Sequence, residues 1–116
     1  MSKHFEEGKK LADHYVDQLS DWAKITTRPL FGAVALCRGD HVFGMIWNGA
    51  LYFKADDESQ GEYEAAHSHP LEYASKGEER SLKTYWEVPA DVLEDDDRLK
   101  QWADRAHQAS LRAEKR

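Results

Sequence analysis

A single cysteine, Cys37, stands in 116 residues, so no disulfide can form within the chain and a reducing compartment is expected. No apolar run approaches the roughly 20 residues that a membrane-spanning helix needs. The start, Met1-Ser2-Lys3-His4-Phe5-Glu6-Glu7, lacks the apolar stretch of a signal peptide. A soluble, cytoplasmic protein without membrane contact is the expectation. Basic residues are scarce: sixteen Lys and Arg against twenty-two Asp and Glu give a formal net charge of −6. Such a chain repels a phosphate backbone, which disfavours direct nucleic-acid binding and its steep salt dependence. There is no Gly-rich phosphate loop and no dinucleotide fingerprint, and the seven glycines fall mostly at turns.

What is present is enough for one folded domain over residues 1–116. The hydrophobic share of 41% supports a core and argues against disorder. Gly39-Asp40 and Asn48-Gly49 are dipeptides that close antiparallel hairpins. They separate Ala33–Cys37, His41–Trp47 and Ala50–Phe53, which predicts a three-stranded meander. A second hairpin is expected from Leu71–Ala74 and Ser81–Val88 around Lys76-Gly77, with Leu82, Thr84, Trp86 and Val88 sharing one face.

Helices are expected on both sides of these strands. Ala12, Tyr15, Val16, Leu19, Trp22 and Ala23 recur at spacings of three and four, an apolar stripe that Ser2 can cap and that Ile25-Thr26-Thr27 ends. Asp56-Asp57-Glu58 reads as the start of a short helix to about Ala66, carrying Tyr63 and Ala66 inward. Pro89 suits the first position of a helical turn through Leu93. Asp95-Asp96-Asp97 opens a last helix with Leu99, Trp102, Ala103, Ala106, Ala109 and Ala113 on one side and Lys115 and Arg116 at its end. The fold class is α+β: an antiparallel sheet, a meander plus a second hairpin, flanked by N-terminal and C-terminal helices.

No constellation of residues announces a reaction. Cys37 lacks a Cys-His signature and reads as a small buried hydrophobe. His67 and His69 could begin a metal site, yet two ligands need a third, and a solvated connector is the simpler reading. Glu94 to Asp97 form a solvated acidic run, without the unlike environments that acid-base chemistry needs. Arg80, Lys83, Tyr85 and Trp86 do not make a stacking platform for single strands, because Tyr85 and Trp86 alternate in a strand and Glu78, Glu79 and Glu87 cancel the charge. No catalytic residue, cofactor or metal ligand is therefore assigned. Arg28 and Lys54, bounding the meander, have two readings. In one, Arg28 pairs with an acid such as Asp56 and Phe31 fills the core. In the other, Arg28, Phe31, Gly32, Tyr52 and Lys54 contact a small anion or a partner.

Three segments carry a resemblance: Arg28-Pro29-Leu30-Phe31-Gly32, Asn48-Gly49-Ala50-Leu51-Tyr52-Phe53-Lys54-Ala55-Asp56, and Tyr85-Trp86-Glu87-Val88-Pro89 with Val92-Leu93-Glu94-Asp95. In order and spacing the chain resembles the N-terminal domain of TfoX/Sxy proteins. Leu30, Ala33, Asn48 and Trp86 depart from the usual Met, Gly, Asp and Tyr, conservatively for packing and turns. The resemblance implies an antiparallel sheet flanked by helices and a link to natural competence, where full-length members assist the cAMP receptor protein. It supplies no catalytic residues. Full-length members carry a C-terminal domain, and a stand-alone N-terminal domain is the expectation here.

The function expected from this is a noncatalytic interaction module acting through protein contact in transcription. The alternative is a small-ligand sensor or enzyme using a cleft near Arg28, Tyr52 and Lys54. Direct DNA binding is the weakest reading. A homodimer through an edge strand or a Trp-bearing helix face is open.

Overall fold

In a computed structural model of the chain, which describes residues 3–30, 32–75 and 77–114, the turn dipeptides act as their chemistry requires. Asn48 and Gly49 both take left-handed backbone, with φ of 49° and 79°, as a type I′ turn demands. This turn and the one at Gly39-Asp40 join β2 (Ala33–Arg38), β3 (His41–Trp47) and β4 (Ala50–Lys54) into the expected meander. The second hairpin is also present, as β5 (Pro70–Ser75) and β6 (Glu78–Glu87). One further strand, β1 (Thr26–Leu30), pairs with β2 and places Arg28 opposite Ala35. The result is a six-stranded antiparallel sheet in the order β1-β2-β3-β4-β6-β5.

Helices cover one face of this sheet. α1 (Lys3–Gln18) precedes it; α2 (Gln60–Ala65), α3 (Ala90–Leu93) and α4 (Asp96–Glu114) follow β4 and β6. Ala12 and Tyr15 of α1 and Leu99, Trp102 and Ala106 of α4 pack with Leu36, Phe43, Ile46 and Phe53 of the strands. Each large side chain fully buried there contributes about 1.5–3 kcal/mol relative to exposure. Arg105 of α4 pairs with Glu62, tying α4 to α2. The architecture is α+β, as the pattern of elements predicts. No helix among the described residues is long and apolar enough to cross a membrane.

Several local expectations change. α1 ends at Gln18, and Trp22 lies in a following turn whose N–H donates to the Leu19 carbonyl at 2.9 Å. α2 begins at Gln60 because Asp56 caps the preceding turn, its Oδ1 accepting from the Glu58 and Ser59 N–H groups. Tyr63 is buried but Ala66 is exposed, and so is Ala113 near the end of α4. The face assignment of β6 is also corrected. Trp86 faces the helices, yet Leu82 joins the opposite face, because Pro70 pairs with Trp86 while Leu71 pairs with Leu82. Residues 83–85 are thus extra on β6, and the Trp86 indole N–H donates to the Lys83 carbonyl within this irregularity at 3.0 Å. The readings made for Ser2, Phe31, Lys76, Lys115, Arg116 and the Arg80 side chain fall outside what is described.

Candidate functional site

The face of the sheet turned away from the helices is apolar as well. Cross-strand partners share a face, and the register sets Arg28, Ala35, Met45 and Tyr52 in one row across β1 to β4, followed by Glu87 on β6. Ala33, Met45, Tyr52, Leu71 and Tyr85 form a second buried cluster here, with Leu30, Trp47 and Leu82 packed against it. The sheet curls to make this so. Leu30 on one edge strand and Leu71 and Tyr73 on the other line a single groove of about 280 Å³. Met45 lies at its base, and Tyr73 at its lip is 37% exposed.

The sequence-predicted contact residues fall around this face without converging on one cavity among the described residues. Arg28 is exposed on β1 and has no hydrogen-bond or ion-pair partner among the described residues. The expected pairing with Asp56 is replaced: Asp56 is held by Arg112 of α4, Nε to Oδ2 at 2.6 Å. Tyr52 lies three strands away from Arg28, edge-on to the His69 ring at 6.5 Å between centroids. Burial raises its phenol pKa, and the nearby Glu87 and Glu72 add to the effect. Lys54 is half-buried with its amine 5.0 Å from the Tyr85 ring centroid, and burial lowers its pKa. Gly32, at φ 83°, turns β1 into β2 in backbone that disfavours a side chain. It also borders a second cavity, of about 770 Å³, between α1 and the Asn48-Gly49 turn.

The remaining candidates take defined places. Cys37 is buried on the curled face; burial raises its thiol pKa, against a smaller lowering by the Arg28 guanidinium. Arg38 points to the other side and stacks over Trp22 at 4.7 Å. The His69 Nε2 is 2.8 Å from a Glu87 carboxylate oxygen and its Nδ1 is 3.0 Å from the Pro70 carbonyl. His67 stands apart in function of backbone, at φ 60° in the turn after α2. Among the described residues no three His, Cys, Asp or Glu side chains are grouped to hold a metal ion. Tyr85 and Trp86 are both buried, on opposite faces, and burial pushes the Tyr85 phenol up to about 12.

Sequence reasoning missed the groove-lining set, chiefly Leu30, Leu71, Tyr73 and Leu82. A signal existed in Ala33-Val34-Ala35-Leu36-Cys37. A strand apolar at every position, rather than at alternate ones, is covered on both faces, and all five of these residues are buried. No curated protein matches the chain. The family model of the TfoX N-terminal domain matches residues 17–110, a span that takes in every strand of the sheet and most of α4, and the chain belongs to that family.

Proposed function

We propose that this domain is a noncatalytic interaction module that regulates transcription through contact with another protein. Its family is linked to competence regulation, and the single observation that carries the reading is the apolar groove on the sheet face opposite the helices, with Tyr73 exposed at its lip. A groove lined by aliphatic and aromatic side chains, with an aromatic lip, is the composition of a protein-contact surface rather than of a reaction centre. The charge of −6 favours steering by a partner's surface over capture of a phosphate backbone. The test is affinity capture of the tagged protein from its own cells with crosslinking and mass spectrometry. Enrichment of a transcription factor or polymerase subunit crosslinked to the sheet supports the module. A specific partner absent under crosslinking overturns it.

A small-ligand sensor is the second reading, favoured by the cavity beside Gly32. Its floor is Val34 and Ile46, and Lys10 and His14 of α1 stand at its mouth. A metabolite panel read by thermal shift tests it, because a ligand that binds only the native state raises the melting temperature. A panel without any shift removes this reading.

A further inference from the structure

The groove and the exposed Arg28, which has no hydrogen-bond or ion-pair partner among the described residues, belong to one surface, and together they describe an occupant. Leu30 lines the groove and Arg28 stands two residues earlier on the same strand. Residues two apart in a strand share a face and lie about 7 Å from one another. Arg28 is therefore an exposed cation near the end of an apolar slot, in the same cross-strand row as Met45 at the slot's base. A guanidinium offers a planar fork that matches a carboxylate.

Resting on the interaction reading above, we infer that the groove binds a short extended segment of a partner protein, with a large aliphatic residue two positions from a carboxylate. The aliphatic side chain enters between Leu30, Trp47 and Leu82 under the Tyr73 lip, and the carboxylate meets Arg28. The dimensions select this occupant. A volume of about 280 Å³ receives one or two side chains, the footprint of a short segment, and the exposed guanidinium of Arg28 beside it calls for a carboxylate on that segment. Recognition runs through side chains rather than through strand addition, since Pro29, between the two contact residues, has no N–H to offer.

The test is an amide chemical-shift titration of the labelled protein with short synthetic peptides, blocked at both ends, in a threonine background. The first peptide places leucine and glutamate two positions apart; the others change glutamate to glutamine or bring the two residues adjacent. The expected result is shifts at Leu30, Tyr73 and Leu82 with the first peptide and about fivefold weaker binding of the others, the size of a modest exposed ion pair. Arg28→Gln, an exposed substitution, removes that difference while the fold persists; Tyr73→Ser weakens all the peptides together. No shift at millimolar peptide overturns the inference, as does equal binding of the glutamine peptide. N-acetylglutamate alone shifting the Arg28 region as strongly as the peptide would mark a small-anion site and overturn it too. Crosslinks that place a cellular partner elsewhere on the domain overturn this surface and leave the interaction module standing.

Discussion

Arg112, near the end of α4, closes on Asp56, two residues past β4, with Nε 2.6 Å from Oδ2 and Nη2 3.1 Å from Oδ1. The two residues are 56 positions apart, so this bidentate pair locks the last helix to the root of the meander. Asp56 has a second task, accepting the Ser59 and Glu58 N–H groups that shape the turn before α2. Asp56→Ala should therefore cost more than Arg112→Ala, about 2 against about 1 kcal/mol. Urea denaturation of the two variants measures the ranking; equal costs would show that the turn contributes nothing.

The same pair sets an acid limit. Its hydrogen bond from Arg112, with Ser59, holds the Asp56 carboxyl at about 2, below its ordinary value. A depressed folded value stabilises above the unfolded one, near 4, and that stability drains as pH falls from about 4 toward 2. Denaturation midpoints measured across this window should fall less steeply for Asp56→Asn than for the parent chain.

His107 acts in a higher window. Its buried Nδ1 has no hydrogen-bond partner among the described residues. Burial lowers its pKa, Arg38 and His41 lower it further, and Asp104 opposes them. The folded state thus prefers neutral imidazole, and the unfolded chain takes up the proton first. Stability present above about 6.5 should decline as pH falls through the unfolded value and level off below the folded one. Thermal melts between neutral pH and pH 5 should lose part of their slope in His107→Gln. An unchanged slope would place the titration elsewhere.

Gly44 marks where the sheet tolerates no added bulk. A Cβ there would stand 2.9 Å from the Tyr52 carbonyl oxygen and 3.0 Å from Phe53 Cδ1. The first neighbour is backbone and cannot step aside. Gly44→Ala should cost about 1–3 kcal/mol, read as a lower denaturation midpoint.

Cys37 should resist alkylation in the native state, since burial both shields the thiol and raises its pKa. Iodoacetamide at neutral pH should modify it well below the rate of a free thiol, and denaturant should restore that rate. A fast native reaction would contradict the buried setting.

Local chemistry made much of the fold legible. Turns such as Asn48-Gly49 encode their own φ angles, and the apolar periodicity of α1 and α4 encodes the face each buries. β1 escaped because Thr26–Leu30 holds Arg28 and Pro29 and no alternation of buried and exposed residues; it is a strand only by its ladder to β2. The three extra residues of β6 carry neither Gly nor Pro to announce them, so Leu82 was read onto the wrong face. Arg112 could not be matched to Asp56 from local pattern, because their meeting depends on the whole sheet lying between them. The candidate site was half visible for the same reason. Arg28 stood out as a cation beside Pro29, whereas its groove assembles from strands at opposite ends of the sheet.

A sheet left with two unlike edges has the connectivity of a polymer: one copy's β5 could meet the next copy's β1, and a head-to-tail contact of that kind need never close. Each edge carries one proline, Pro29 and Pro70, and each deletes a donor from the ladder a neighbour would have to complete. Two ring closures on the backbone are in this sense a solubility device. Replacing both prolines with threonine would restore those donors and leave both edges open to such a contact.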